Sequence, residues 1–341
     1  MIQWLWSCPG FFPWKGRGSR VAGSSYTYAS GRVSGLDGSL LSRRIWQQLF
    51  TAENRDEVLR ILGETWYGPL IQESGSIEGA LRAAVSSAEE ELSELSESCS
   101  FTDGILQRRD VRNARYLWKN LASEGSGDVD VEPQGTIPVE TIRMAWSDPG
   151  AAESLPEGFR RALEELHELA SPSAYRLDAV LDRLAASVEA ENLSTLPEPV
   201  GDLPRVKIEL RNFLTAARNR GDREAVENSL LSGGYHTPDD ISQAARMNRL
   251  SELLQETSGF EDAAKALEEG LETGSFLSYQ RESDLIVLEI LERASSDMFS
   301  PGPLAAYVLG RELEASHLKM ITAGKTAGID IRRLKARVPR G

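Results

Sequence analysis

Apolar positions along this chain recur at helical spacing for nearly its whole length. Leu177, Val180, Leu181, Leu184 and Val188 form one stripe, and Leu203, Val206, Leu210, Phe213, Leu214 and Ala217 form another. Such spacing puts the side chains on one face of a 3.6-residue helix. Residues 284–294 (DLIVLEILERA) are apolar on most sides, which predicts a helix buried centrally. Near the start, Val33, Leu36, Leu40 and Leu41 predict a buried helix face. Gly31, Gly35 and Gly38 interrupt it, and each costs a helix about 1 kcal/mol relative to alanine; either tight packing needs them or this helix is loose. No run of six or more residues alternates as a half-buried strand would. Thr237-Pro238-Asp239-Asp240 reads as a helix start, with a capping hydroxyl, proline at the first position and acids in the first turn. The expected linkers are 123–131, 147–156, 196–204 and 256–259. The expected fold class is all-α.

A long-period repeat organises these helices. Asp110 and Asn113 recur as Glu209 and Asn212, with Lys119 and Arg218 each six residues after the amide. Gly135 and Gly234 stand at one common offset from their acids, each opening a loop that carries Pro138 or Pro238. Glu314 and His317 form a third copy, without the basic residue and with a shorter loop. Ala162 to Glu165 and Ala266 to Glu269 echo the same register. A period near 100 residues is too long for a solenoid and reads as three homologous helical-bundle modules. Their expected bounds are 26–150, 151–255 and 256–341. An acid and an amide three residues apart share one helix face. The favoured reading is a buried tie within each module; polar nodes turned toward a common axis are the alternative.

Charge narrows the possible partners. The 341 residues carry a formal net charge of −14, which argues against a nucleic-acid binder. Residues 311–341 run the other way, with eight Lys/Arg against three Asp/Glu. Arg332, Arg333 and Lys335 in that basic end are a candidate partner interface, or else a solvated helix. Cys8 and Cys99 share no metal-ligand spacing, and His167, His236 and His317 are the only histidines. Neither zinc nor histidine-based catalysis is therefore expected, and a reduced cytosolic compartment fits best. Neither a catalytic constellation nor a cofactor site is evident. No apolar run approaches the length of a membrane span, so membrane association is expected only through a partner. Residues 1–25 are aromatic but broken by Pro9, Gly10 and Pro13. A disordered leader is the favoured reading, and an aromatic membrane-surface anchor the alternative.

The C-terminal stretch 301–338 (PGPLAAYVLGRELEASHLKMITAGKTAGIDIRRLKARV) is the most distinctive. It predicts a helix over 304–323, a break at Gly324 and a resumption near Asp330. Leu309, Leu313, Met320 and Ile321 lie near one face, leaving Arg311, Glu312 and Lys319 for water. Gly324-Lys325-Thr326 imitates the end of a phosphate-binding loop. Lys319, however, stands where that loop needs glycine, and a helix precedes it rather than a strand.

Tyr307, Arg311-Glu312-Leu313-Glu314, His317-Leu318-Lys319, Gly324-Lys325 and Gly328 together resemble the C-terminal signature of the C subunits of V/A-type rotary ATPases. The same family includes the d subunit of the eukaryotic V-ATPase, and it usually has Asn where His317 stands. The opening at Tyr26 resembles the family's first helix, and Leu62, Thr65, Tyr67 and Gly68 resemble its L-x-x-T-x-Y-G segment. The resemblance covers about residues 26–338.

That resemblance implies three similar helical domains around a pseudo-threefold axis, shaped like a funnel. It also implies a non-catalytic central-stalk subunit, without a cofactor, that couples the axle of subunits D and F to the membrane proteolipid ring. Proton or sodium transport by the complex would then place the chain on the cytoplasmic side, peripheral to the membrane. A generic helical-repeat scaffold is the alternative.

Overall fold

The computed structural model describes residues 25–37, 40–95, 99–123, 131–132, 135–169 and 174–339. The leader up to residue 24, Gly38 and most of the 123–131 linker lie outside them. Cys8 and the side chains of Leu36 and Cys99 do too. Among the described residues the regular structure is entirely helical, in eighteen helices.

The chain opens with α1 (Ser25–Asp37), three short helices α2 (Arg43–Thr51), α3 (Arg55–Gly63) and α4 (Tyr67–Ser74), and the long α5 (Ile77–Leu95) and α6 (Cys99–Ala122). Next come α7 (Val139–Met144), α8 (Pro149–Glu153), α9 (Glu157–Glu168), α10 (Ala174–Leu193) and α11 (Leu203–Arg218). The remainder is α12 (Arg223–Ser229), α13 (Pro238–Arg246), α14 (Leu250–Gln255), α15 (Glu261–Thr273), α16 (Leu277–Ser295), α17 (Gly302–Thr326) and α18 (Ile331–Arg337). Local chemistry sets many of the starts. Thr237 and Asp240 form a reciprocal capping box on α13, and the Asp148, Asp222 and Asp330 side chains cap α8, α12 and α18.

Three hydrophobic cores hold these helices. One gathers residues from 29 to 309, among them Leu203, Phe213, Leu254, Leu267 and Leu304. A second joins the early chain, from Leu41 to Ala84, to the late chain, from Ala315 to Val338. The third lies within 111–188, around Trp118 and Phe159, where the Trp118 indole N–H donates to the Ile142 carbonyl at 3.0 Å. Four long helices cross from core to core, among them α10, which has Val188 in the third core and Leu193 in the first. Helix α5 has Ile77 and Ala84 in the second core and Ala88 and Leu92 in the first. Helix α6 passes from the first at Ile105 to the third at Val111, and α17 from the first at Leu309 to the second at Ala315. A helix shared in this way transmits displacement between close-packed interiors that barely compress.

Several expectations are corrected. Helix α17 does not stop at Gly324: it runs to Thr326 and ends on Gly328, whose φ of 67° is left-handed. There the Ile329 amide donates to the Gly324 carbonyl at 2.8 Å and the Gly328 amide to the Lys325 carbonyl, a Schellman ending. Gly324 serves packing instead, because a Cβ on it would stand 2.5 Å from Leu334 Cδ2. Arg311 does not face water; it is 1% exposed, paired with Glu314 and covered by the Trp66 ring. The stripe from Val33 to Leu41 is not one helix, for α1 ends at Asp37. Residues 284–294 are only partly buried, with one side of α16 lining an open groove.

Candidate functional site

The repeat nodes are built from carboxylates that ligate backbone amides. Asp110, fully buried, accepts from the Thr136 amide at 3.0 Å and the Ile137 amide at 3.2 Å. Glu209, equally buried, accepts from the Tyr235 amide at 2.8 Å and the His236 amide at 3.2 Å. Burial pushes the Asp110 carboxyl above its ordinary range, although the Thr136 hydroxyl and the two amides pull the other way. The amides beside these acids make a matching tie. Asn113 exchanges two hydrogen bonds with the Glu132 peptide at 2.7 and 2.8 Å, and Asn212 does the same with Leu231 at 2.7 and 2.9 Å. Both ties span 19 residues. The glycines are required by the carboxylates. A Cβ on Gly135 would overlap Asp110 Oδ1, and one on Gly234 would lie 2.5 Å from Glu209 Oε2.

The third node serves a different connection. Glu314 accepts from the Leu41 amide at 2.8 Å and from the Tyr67 hydroxyl at 3.0 Å, and pairs with Arg311 at 2.7 Å. The Arg311 guanidinium stacks over Trp66, 4.1 Å from the ring centroid. Burial, and then the Glu314 charge, hold the Tyr67 hydroxyl far above its usual range, so it remains a donor. His317, also fully buried, meets Asp284 of α16 through Nε2 at 2.9 Å. Arg337 of α18 pairs with the same carboxylate. The Gly-Lys-Thr segment is accounted for locally. Lys325 Nζ donates to the Phe50 and Ala52 carbonyls at the end of α2, and Thr326 bonds back to the Thr322 carbonyl at 2.9 Å.

Between the cores runs a seam of ion pairs. Arg109 pairs with buried Glu89, and Arg112 makes a two-point bond to Glu132. Arg108 reaches Glu312 of α17 at 2.6 Å. Lys207 meets Glu189 at 2.6 Å, and Asp182 lies between Arg115 and Arg211. Burial alone would raise the Glu189 and Asp182 carboxyls, but their cationic neighbours more than offset it and hold both below the ordinary range. Glu89 ends above it, because burial outweighs Arg109 and Arg112. Sequence reasoning misses this seam, although Arg108, Arg109 and Arg112 flank the first node at helical spacing. Glu312 lies at the meeting of two grooves along α17, one between α5 and α6, the other between α11 and α16. Of the basic trio, Arg332 pairs with Asp330 and Lys335 lies over the Phe50 ring, while Arg333 turns toward α11.

Among the described residues, no cluster of three or more His, Cys, Asp and Glu is placed to hold a metal ion. No helix there is long and apolar enough to cross a membrane. What the geometry defines is an all-α protein whose buried carboxylates hold its own backbone and join its helices to one another. The sequence model of the ATP synthase (C/AC39) subunit family matches residues 29–337. The C subunit of the A-type ATP synthase from Halorubrum lacusprofundi is 24% identical over 345 residues, covering 91% of this chain and 96% of that protein. Its counterpart from Methanocaldococcus jannaschii, also an A-type ATP synthase C subunit, is 22% identical over 337 residues, covering 88% of this chain and 82% of that protein. The chain belongs to the ATP synthase (C/AC39) subunit family. Two motifs that carried the resemblance meet in space, since Tyr67 donates to Glu314.

Proposed function

We propose that this chain is a non-catalytic central-stalk subunit of a V/A-type ATP synthase. It couples rotation of the axle, subunits D and F, to the proteolipid ring that carries protons or sodium across the membrane. It sits on the cytoplasmic side, held there by the complex. The observation that carries this reading is the family match over residues 29–337. The physical arrangement supports it: long helices α5, α6 and α17 each belong to two cores, so load applied at one core reaches the next through a continuous backbone. In this reading the chain comprises three homologous modules, and the 1–25 leader is dispensable. Arg332, Arg333 and Lys335 form a charge-assisted contact with one partner.

The test is coupling in membranes. Deleting the subunit should leave ATP hydrolysis by the catalytic head while abolishing ATP-driven ion movement. Ion pumping that survives the deletion overturns the proposal. Reversal of Arg332, Arg333 and Lys335 to Glu should weaken binding to one partner in a salt-dependent manner, with the isolated chain still folded. Unchanged affinity for both partners would return these residues to the solvated surface.

A further inference from the structure

An open pocket of about 540 Å³ joins three distant parts of the chain: the end of α11, the turn between α15 and α16, and α18. Its lining includes Arg218, Arg220 and Arg333, and no carboxylate. That is unusual on a chain of net charge −14. Along the seam, Arg108, Arg109, Arg112 and Arg115 are all matched by acids. Arg218, Arg220 and Arg333 take part in no ion pair or side-chain hydrogen bond among the described residues. All three are exposed, and with no acid in the lining they raise the positive potential along the pocket wall, which an anion would relieve.

A second feature at the same place points the same way. Helix α16, 19 residues long, begins there behind Phe276, which provides no side-chain cap. Its first amides therefore lack intrahelical acceptors and lie at the positive end of the helix dipole. Ser275 and Gln280 add polar groups to the same wall. The turn is packed into place. A Cβ on Gly270 would lie 2.5 Å from Phe276 Cδ1, and Gly274, at φ 75°, closes α15 by donating to the Gly270 carbonyl at 2.9 Å. Donors held in position lose little entropy on binding.

We infer that this pocket binds a phosphate-type oxyanion. The guanidiniums supply forked, charge-assisted donors and the end of α16 supplies backbone amides. The inference stands on the pocket itself and does not rest on the stalk reading. Phosphate can arrive free in solution or as a lipid headgroup, and two probes separate these sources. The full-length chain is titrated calorimetrically with pyrophosphate. It is also floated with phosphatidylglycerol vesicles against phosphatidylcholine vesicles, at low and high salt. Arg220→Gln and the Arg220→Gln/Arg333→Gln pair are compared with wild type, with circular dichroism checking the fold. Arg332→Gln, exposed and outside the pocket, is the control. The double variant should lose about tenfold in affinity, and high salt should weaken wild-type binding. Loss toward pyrophosphate assigns a soluble phosphate ligand; loss confined to the anionic vesicles assigns a headgroup. The inference is overturned if wild type binds neither probe, if the double variant binds as wild type does, or if Arg332→Gln causes the same loss.

Discussion

Two nodes of this molecule, at Asp110 and Glu209, close loops that follow them by 26 and 27 residues, whereas the node at Glu314 reaches back 273 residues to Leu41. The chemistry is common to all three: a buried carboxylate accepts from backbone amides that would otherwise be orphaned. The use differs. In the first two, the acid shapes a turn within one stretch of chain. In the third, it ties α17 to Leu41 and Tyr67, far back along the chain, and Arg311 enters to balance the charge. The same small polar device thus serves local shape twice and long-range closure once.

The comparison is most sharply tested by removing the charge. Glu314→Gln should cost about 3–5 kcal/mol, because it strands the Arg311 charge in an apolar interior. Glu209→Gln should cost less, since no arginine is left behind. Urea unfolding of both variants reads the difference, and a larger loss at Glu209 would break the contrast. Next in size is Asn212→Ala, which leaves the Leu231 amide and carbonyl unpaired at about 1–3 kcal/mol for each buried group. A loss below about 1 kcal/mol in thermal unfolding would mean that water replaces the amide. Gly135→Ala should cost about 1–3 kcal/mol through overlap with Asp110. Gly310→Ala, inside α17 with nothing within 4 Å of its new methyl, should be neutral or stabilising. Equal losses at the two sites would remove the packing argument.

The smallest expected effect is in acid. Burial tends to raise the Asp284 carboxyl, but the bonds from His317 and Arg337 more than offset this and leave it below its ordinary value near 3.8. A carboxyl depressed by folding adds stability above its unfolded pKa, and that stability is lost as pH falls through the folded value. Wild type should therefore lose stability below about pH 4 more steeply than Asp284→Asn does. Parallel acid limbs in the two unfolding curves would show that the triad contributes nothing there.

Much of the node chemistry is legible in residue spacing. An acid, an amide three residues on and a glycine at a constant offset recur because each loop solves the same hydrogen-bonding problem. The limits of helix α17 are less legible. Gly324 looks like a terminator, yet a glycine continues a helix wherever a neighbour needs its missing side chain, as Leu334 does here. Arg311 and the 284–294 segment mislead for one shared reason. Periodicity reports how apolar a face is, but not how many faces are covered.

The sequence by itself determined the helical fold class, the recurring nodes and the family, because these depend on local periodicity and on motifs read in order. Tertiary structure alone decided that segments 41–84 and 315–338 share a core, that Tyr67 meets Glu314, and that Arg218, Arg220 and Arg333 line one pocket. Those pairings join segments far apart along the chain. Which faces meet is settled by the simultaneous packing of all the helices, and no single stretch of sequence carries that information.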